Sequence, residues 1–369
     1  MSELKELTKK YSKVMIPCEV CDSEEFEVLQ RYGRIEGPGE YGELKVSVCK
    51  KCGYRLLNPR YEDSFYEDYY RRLYRDVAYG SSVPSSEYIR LQQERGGAVL
   101  GWLNHHFDIK PGVMLDHGCA SGFTMLSWIN SGWVAKGFDP HLGSVERGRE
   151  IGLDIELGVG ERLPYEDDSI DVCMSLGSLE HTYDIGRSLS ELHRVLRESG
   201  LLFIRWRSDK IYGSPLEYYN HNHNRFFSHR SIALLLARYG FEVIQSVDDE
   251  IECEGSSFSY TLASKAKIPD FEIFSNEIFE DIGTDDPREE LEKISALRDD
   301  FYTKSKRFLE FYNRHSTKDI SYIRRLLEAG ESGLSWDWIS GFVDFEKVYQ
   351  RKKMEAERYI SLYDQGMVV

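Results

Sequence analysis

Five short apolar runs, separated by segments of helical character, constrain the fold of this chain more than any other feature. The runs are Val113–Asp116, Trp133–Asp139, Ile155–Val159, Ile170–Ser175 and Leu201–Trp206. One of the amphipathic segments between them, Ile185–Leu196, contains the sequence LSELHRVL. Alternating strands and helices predict a mostly parallel sheet that helices cover on both faces. The expected fold class is therefore α/β.

The first run ends in a turn of small residues, within the stretch VMLDHGCASGF. Asp116 ends the strand, and Gly118, Ala120 and Gly122 follow at alternate positions. Small residues at the carboxyl end of a parallel strand let the backbone approach a nucleotide-like ligand. Asp139 ends the next run about 20 residues later, the spacing typical of an acid that binds ribose hydroxyls. The alternative is a tight turn that serves packing only.

Two pairs of cysteines near the start of the chain have the spacing of metal ligands. Cys18 and Cys21 lie in PCEVC, and Cys49 and Cys52 lie in CKKCG. Two C-x2-C turns can direct four thiolates at one tetrahedral ion, and Gly53 suits a left-handed residue after the second turn. Because all four ligands are cysteines, we expect a structural zinc ion; the alternative is four buried or redox cysteines.

Length and charge limit the remaining function classes. The chain has 369 residues, 41% of them hydrophobic, which is enough for two or three domains. Its net charge of -16 opposes binding to nucleic acid. No apolar window is long enough for a membrane span, and the start, MSELKELTKKYSK, lacks an apolar signal segment. We therefore expect a cytoplasmic protein.

Several motifs in order resemble those of class I S-adenosylmethionine-dependent methyltransferases. They are LDHGCASG, GFDP, LPYEDDSIDVCMSLGSLEHTYD and ELHRVLRESGLLFIRW, between about Leu100 and Ser264. The paired cysteines followed by LLNPR are similar to the zinc-ribbon leader of methyltransferases from bacterial sugar and surface-glycan pathways, sugar C-methyltransferases in particular. The resemblance implies a Rossmann-like methyltransferase sheet and four parts of the chain. These are a zinc ribbon (1–58), a linker or lid (59–95), a methyltransferase domain (96–265) and a helical C-terminal region (266–369).

The resemblance also implies which residues bind the cofactor, S-adenosylmethionine. Asp116, Gly118, Ala120 and Gly122 would line its methionine and ribose side, Asp139 would hold the ribose hydroxyls, and Leu176 and Gly177 would lie near the sulfonium. Relatives often carry an acid for the adenine amino group where this chain has Gly158-Val159-Gly160. Backbone groups or Glu161 are the expected substitutes.

The stretch YYNHNHNRFFS resembles the substrate segment H-E-H-x-x-Y-F-S of sugar C-methyltransferases. By that resemblance His223 is the general base, while Asn222 stands where relatives have a glutamate. The loss of that charge weakens C-methylation and leaves O-methylation of a sugar hydroxyl open. His221 and His223 as two metal ligands are an alternative, although no third ligand is evident from spacing. The other alternative is that the loop only caps a helix.

The resemblance implies three further positions near the substrate. His181, in LEH, would lie close to the cofactor with Glu180, unless the pair only caps the next helix. Tyr79 would fold over the site as part of a lid. Apolar residues at helical intervals after Lys265 predict helices that pack on the catalytic domain, cover the acceptor site, dock on a partner or form a homo-oligomer.

The sequence thus predicts a methyltransferase that acts on a sugar, with a nucleotide-linked sugar as the expected acceptor and no nucleic-acid or membrane partner. Two alternatives remain open. One is a methyltransferase of another small metabolite, and the other is a non-catalytic protein that binds the cofactor or acts as a scaffold.

Overall fold

The computed structural model describes residues 2–32, 44–75, 85–207, 223–248, 251 and 258–315, with isolated positions between 325 and 364. The strands are β1 Lys13–Val14, β2 Phe26–Tyr32, β3 Leu44–Cys49, β4 Arg55–Leu57, β5 Arg60–Tyr61, β6 Val113–His117, β7 Val134–Asp139, β8 Asp154–Leu157, β9 Ile170–Leu176, β10 Leu196–Trp206, β11 Arg225–Phe226, β12 Phe241–Asp248 and β13 Ser259–Lys265. The α-helices are α1 Ser2–Lys10, α2 Asp63–Asp68, α3 Ser86–His106, α4 Met125–Asn130, α5 Leu142–Glu150, α6 Ile185–Val195, α7 His229–Arg238, α8 Phe271–Ile273, α9 Phe279–Ile282 and α10 Pro287–His315. None of these helices is long and apolar enough to cross a membrane.

A seven-stranded sheet forms the centre of the molecule, with strand order β12-β13-β10-β9-β6-β7-β8. The five strands from β10 to β8 are parallel to one another, as the alternating pattern predicts. Strand β13 lies antiparallel between β10 and β12, so the sheet is mixed at one edge. This antiparallel edge was not identified among the apolar runs, although Tyr260 and Leu262 of β13 are buried.

The strand order places the predicted ligand-binding turns next to one another. Asp116 at the end of β6 is paired with Gly137 on β7 and with Met174 on β9. Strands β7 and β8 lie on one side of β6 in the sheet, and the later strands β9 and β10 lie on the other side of β6. Ligands of open α/β sheets bind where the strand order reverses in this way. The turns after β6, β7 and β9 therefore border one crevice.

Helix α3 is continuous through Gly96-Gly97. A Cβ atom on Gly96 would lie 2.0 Å from the carbonyl oxygen of Thr124. The glycine therefore allows close contact between α3 and the turn that precedes α4. The Ser85 side chain caps the start of the helix by accepting a hydrogen bond from the Tyr88 N–H at 3.1 Å.

The N-terminal strands form a second sheet that includes a strand from much later in the chain. Its order is β11-β4-β3-β2, and all pairs are antiparallel. The Leu57 N–H also donates to the carbonyl oxygen of Asn224 at 3.0 Å. The cysteine-containing unit is thus joined directly to the residues that follow His223.

A buried ion-pair network strengthens this junction. Glu19 lies between the cysteines of the first pair, and its carboxylate accepts hydrogen bonds from the Arg225 guanidinium at 2.5 and 2.7 Å. Arg60 lies 3.2 Å from the same carboxylate, and the Tyr54 hydroxyl donates to it at 3.1 Å. Both arginines also donate to the carbonyl oxygen of Tyr183, in the loop after β9. Burial acts to raise the pKa of Glu19, but the positive charges of the two arginines outweigh it and hold that pKa below its ordinary value.

The residues after β13 pack first on the catalytic part of the chain. Phe274 is buried in the same apolar cluster as helix α7, and the Ser228 hydroxyl donates to the Asp285 carboxylate. Helix α10 then contacts residues near the end of the chain, where the Phe301 and Tyr359 rings meet edge to face at 4.6 Å. Packing on the catalytic domain was one of the roles predicted for these helices, and a homo-oligomer stays a prediction.

We predict that Glu19→Gln lowers the free energy of unfolding by about 3–5 kcal/mol, because it leaves two buried guanidinium groups without their counter-charge. Urea denaturation monitored by tryptophan fluorescence measures this change. Asp22→Asn is the matched control, since Asp22 lies in the same cysteine turn but pairs with Arg238 at the surface. We expect the control to cost about 0–1 kcal/mol. Equal effects of the two substitutions would contradict the role assigned to Glu19.

Candidate functional site

The turn after β6 owes its small residues to its backbone conformation. Gly118, Ala120 and Gly122 have φ angles of +75°, +51° and +72°. Such angles cost an L residue roughly 1–2 kcal/mol, so glycine is favoured and Ala120 needs support. The Ala120 N–H supplies it by donating to an Asp139 carboxylate oxygen at 2.8 Å. The alternation in the sequence therefore reflects three left-handed residues that direct the backbone around the end of the strand.

The buried side chain of Asp116 stabilises this turn by a hydrogen bond. Its side chain is buried, and it accepts a hydrogen bond from the Thr124 hydroxyl at the far end of the turn. Burial raises the pKa of Asp116 to about 7, while the Thr124 hydrogen bond and the charge of Arg95 oppose the shift. The contact with Thr124 shows a structural task for Asp116, and its predicted contact with the cofactor stays a prediction.

Asp139 joins the turn after β6 to the turn after β7. One carboxylate oxygen accepts the Ala120 N–H and the other accepts the His141 N–H, both at 2.8 Å. Burial raises the pKa of Asp139, and the positive charge of Arg75 partly opposes that effect. Arg75 is buried and lies just after a π-helical turn at Tyr69–Leu73. The segment predicted as a linker thus brings a cation close to the predicted ribose-binding acid, which no sequence motif indicated.

Glu161 is directed towards the loop before α6. Its carboxylate accepts the Asp184 N–H at 3.0 Å, and burial raises its pKa. By contrast, a Cβ atom on Gly158 would have no neighbour within 4 Å among the described residues. Of the two substitutes expected on the adenine side, the backbone at Gly158 borders the open space.

Leu176 ends β9 and Gly177 follows it, at the position predicted for the sulfonium. Gly177 has a φ angle of +78°. A Cβ atom there would lie 3.6 Å from Nη2 of Arg205 and 3.8 Å from Oε1 of Glu180. A Cβ atom would thus make ordinary contacts with these two buried groups, and the left-handed φ angle is the reason that glycine is favoured here.

Glu180, His181 and His223 come together although about 40 residues separate His223 from the other two. A Glu180 carboxylate oxygen and one ring nitrogen of each histidine lie within 4.8 Å of one another. The two imidazole rings meet edge to face, with centroids 4.7 Å apart. The Tyr70 hydroxyl lies 3.0 Å from Nδ1 of His181, and the Tyr74 ring lies 6.0 Å from the His181 ring. Sequence reasoning predicted the two histidines and Glu180 but not the two tyrosines.

Backbone and amide contacts hold this cluster together. The Asn224 N–H donates to the Glu180 carbonyl oxygen at 3.0 Å, and the Asn224 amide donates to the His181 carbonyl oxygen at 3.1 Å. Arg225 then binds the carbonyl oxygens of Thr182 and Tyr183. The segment after His223 is thus docked on the loop after β9. Tyr79, His221 and Asn222 lie outside the described residues, so their roles stay predictions.

The four N-terminal cysteines form a second buried cluster. The sulfur atoms lie 3.5 Å apart in the pairs Cys18–Cys52 and Cys21–Cys49, and all four lie within 4.8 Å of one another. Tetrahedral zinc with Zn–S bonds near 2.3 Å requires S–S separations of about 3.8 Å. Four thiolates at such separations fit that ion. The left-handed turn predicted at Gly53 is confirmed by a φ angle of +75°.

The first cysteine turn achieves the same conformation without glycine. Asp22 has a φ angle of +56°, and its N–H donates to the Cys18 carbonyl oxygen at 2.9 Å, as the Gly53 N–H does to Cys49. Aspartate tolerates left-handed angles better than most residues. The two turns are therefore alike in backbone although their sequences differ.

Comparisons with known proteins match the part of the chain that contains strands β6 to β10. Residues 115–204 match the methyltransferase domain family. The malonyl-[acyl-carrier protein] O-methyltransferase of Yersinia pestis is 31% identical over 114 residues, which are 30% of this chain and 42% of that protein. The mitochondrial 2-methoxy-6-polyprenyl-1,4-benzoquinol methylase of Rattus norvegicus is 31% identical over 140 residues, 38% of this chain and 37% of that protein. The chain thus spans less than half the length of either relative.

Solved structures resemble the chain at lower identity. The 1,6-didemethyltoxoflavin-N1-methyltransferase of Burkholderia thailandensis, solved with S-adenosylhomocysteine, is 17% identical and has a TM-score of 0.45. It covers 64% of this chain, and the whole of that protein is matched.

We predict that Asp139→Asn weakens binding of S-adenosylhomocysteine by about 10- to 100-fold, because a charged acceptor at the ribose position is lost. Isothermal titration calorimetry measures the affinity. Asp154→Asn is the control, since Asp154 is exposed on β8 and pairs with Lys136 at the surface. Unchanged affinity in Asp139→Asn would exclude this acid as a ribose ligand.

We also predict that the purified protein holds one zinc ion per chain and that Cys49→Ser loses it, because a hydroxyl is a poor substitute for a thiolate ligand. Metal content by mass spectrometry tests this. Cys173→Ala, at a buried cysteine outside the cluster, should keep its zinc. Retention of full zinc content by Cys49→Ser would show that the four cysteines do not form the site.

Proposed function

We propose that this chain transfers a methyl group to a sugar, with His223 as general base. A nucleotide-linked sugar is the expected acceptor. The proposal starts from residues 115–204, which form a class I S-adenosylmethionine-dependent methyltransferase domain. The observation that carries the proposal is the cluster of Glu180, His181 and His223. It lies beside Gly177, at the carboxyl end of β9, where the methyl donor is expected.

The cofactor would be held by the two turns already described. Asp139 would bind the ribose hydroxyls, and the left-handed turn from Gly118 to Gly122 would face the methionine part. When bound, S-adenosylmethionine supplies a methyl group that its sulfonium already activates. The protein then has to align the acceptor, exclude water and remove a proton.

His223 is suited to removing that proton. Imidazole has a pKa near neutrality, so it can accept a proton from an acceptor hydroxyl or carbon acid at physiological pH. The His223 side chain is only 7% exposed, which limits competition from water. Its neighbour His181 is oriented by the Tyr70 hydroxyl and would contact the same acceptor.

The acceptor side of the site supports a sugar through features outside the matched domain. Tyr70, Tyr74 and His223 all lie beyond residues 115–204, so the named relatives, which match mainly the domain, do not indicate the acceptor. Aromatic faces beside hydrogen-bonding groups suit a sugar ring, which has apolar C–H faces and polar edges. The segment that contains His223 resembles the substrate segment of sugar methyltransferases. Another small metabolite is the second candidate.

Structural zinc at the four cysteines would act on the site indirectly. Zinc would hold the turn that contains Glu19, and Glu19 binds Arg225 two residues after the proposed base. The metal would therefore stabilise the backbone that positions His223 and would take no part in methyl transfer. We expect a cytoplasmic enzyme with a small-molecule substrate and no nucleic-acid partner, in keeping with the charge of -16.

We predict that His223→Gln lowers methyl transfer to a nucleotide sugar by about 100-fold or more, because the general base is lost. S-adenosylhomocysteine formation by zinc-loaded protein, offered a panel of nucleotide sugars, measures the rate. His229→Gln is the control, because His229 lies six residues later and pairs with Asp248 away from the cluster. Full activity in His223→Gln would show that His223 is not the general base, while the assignment as a methyltransferase would stand.

The same panel separates the remaining alternatives. Turnover of one nucleotide sugar by the unaltered protein would support the proposed acceptor class. Cofactor binding without turnover of any sugar would favour another small metabolite. Failure to bind the cofactor would favour a scaffold.

A further inference from the structure

We propose that Glu180 is the positioning residue of His223 and supplies the negative charge that Asn222 cannot. The inference rests on the proposed role of His223 as base and adds a second group to it. The glutamate expected next to the base along the chain is absent, and the loop after β9 brings a different carboxylate near His223.

The geometry places the Glu180 carboxylate where it can act on both histidines. One of its oxygens lies within 4.8 Å of a ring nitrogen of His223 and of His181. The side chain is only 3% exposed, and its Oε2 atom has no hydrogen-bond partner among the described residues. A buried carboxylate oxygen without a partner is costly, so a proton-bearing neighbour stabilises it. The imidazolium that forms when His223 takes a proton from the acceptor is such a neighbour.

Backbone hydrogen bonds hold the segments of Glu180 and His223 next to each other. Glu180 lies in a 3-10 turn, Leu179–His181, and its carbonyl oxygen accepts the N–H of Asn224, the residue directly after His223. Asn224 is fully buried, and its amide binds the carbonyl oxygen of His181. These hydrogen bonds connect the two segments at the residues that carry the chemistry. Glu180 is thus held next to the base by main-chain contacts that do not depend on its own carboxylate.

Other charged and titratable groups among the described residues lie near the pair. Arg205 and Arg207 at the end of β10 and Arg225 on β11 all favour the ionised form of Glu180, although burial, the larger effect, raises its pKa. His181 and Tyr70 lie on the other side. The arginines make this environment unfavourable for a divalent cation, which is why we assign the three side chains to proton transfer instead of to a metal ion.

The test is a titration of the His223 imidazole by NMR in protein with labelled histidines, with the signal assigned by its absence in His223→Gln. Removal of a carboxylate within this distance lowers the pKa of an imidazole, so we expect the pKa of His223 to fall by about one unit in Glu180→Gln. Glu198→Gln, at an exposed position at the start of β10, is the matched control and should leave the titration unchanged. An unchanged His223 titration in Glu180→Gln would overturn the proposal.

Kinetics provide the second measurement. In Glu180→Gln we expect kcat to fall by about 10-fold, the KM for both substrates to stay within about twofold, and the acid limb of the pH–rate profile to move to lower pH. Glu180→Asp keeps the charge and should recover part of the loss. A rise in KM without a change in kcat would overturn the positioning role and show that Glu180 only binds substrate.

The two measurements distinguish failure of this inference from failure of the proposed function. The NMR titration needs no acceptor, so it reports on Glu180 even when no sugar is methylated. Quenching of the His181 and His223 signals by one equivalent of Mn²⁺ would overturn the inference in favour of a metal site formed by the three side chains.

Discussion

The buried carboxylate of Glu19 is the contact on which the arrangement of the site depends. It lies inside the first cysteine turn, and it binds two guanidinium groups that come from distant parts of the chain. Those arginines in turn bind the carbonyl oxygens of the loop after β9. Because charges so deeply buried need their partners, the cysteine-containing unit, strand β11 and that loop must be in place together. The N-terminal unit is therefore part of the structure that supports the site.

A similar dependence appears on the cofactor side. Asp139 accepts N–H groups from two successive turns, and Ala120 keeps a left-handed conformation with the help of one of these bonds. Asp116 holds the same turn from the interior through Thr124. The acids that the sequence pattern associates with a ligand thus also hold the turns after β6 and β7 in shape through hydrogen bonds within the chain.

The sequence predicted the parallel part of the sheet and the cysteine cluster, while the roles named for the site residues stay predictions. The five parallel strands were recognisable because buried strands read as continuous apolar runs, and the cysteine cluster because its ligands are paired at short range. Strands β12 and β13 lacked such a pattern. Tyr70 and Arg75 lie in a segment without clear periodicity, so the sequence did not indicate their roles. Those roles arise only when that segment folds over the catalytic domain. Glu180 was named as a substrate contact, but its distance from His223 could not be read from positions far apart in the chain.

Local patterns in the sequence by themselves determined the α/β class, the left-handed turns at Gly53 and after β6, and the two C-x2-C turns. Each depends on neighbouring residues, through side-chain periodicity or the conformational freedom of glycine. Only the tertiary structure decided that β11 joins the N-terminal sheet, that Glu19 meets Arg225 and that Glu180 stands beside His223. These pairings bring together residues far apart in the chain, and their free energy comes from burying charges and hydrogen-bonding groups together, which no local pattern encodes.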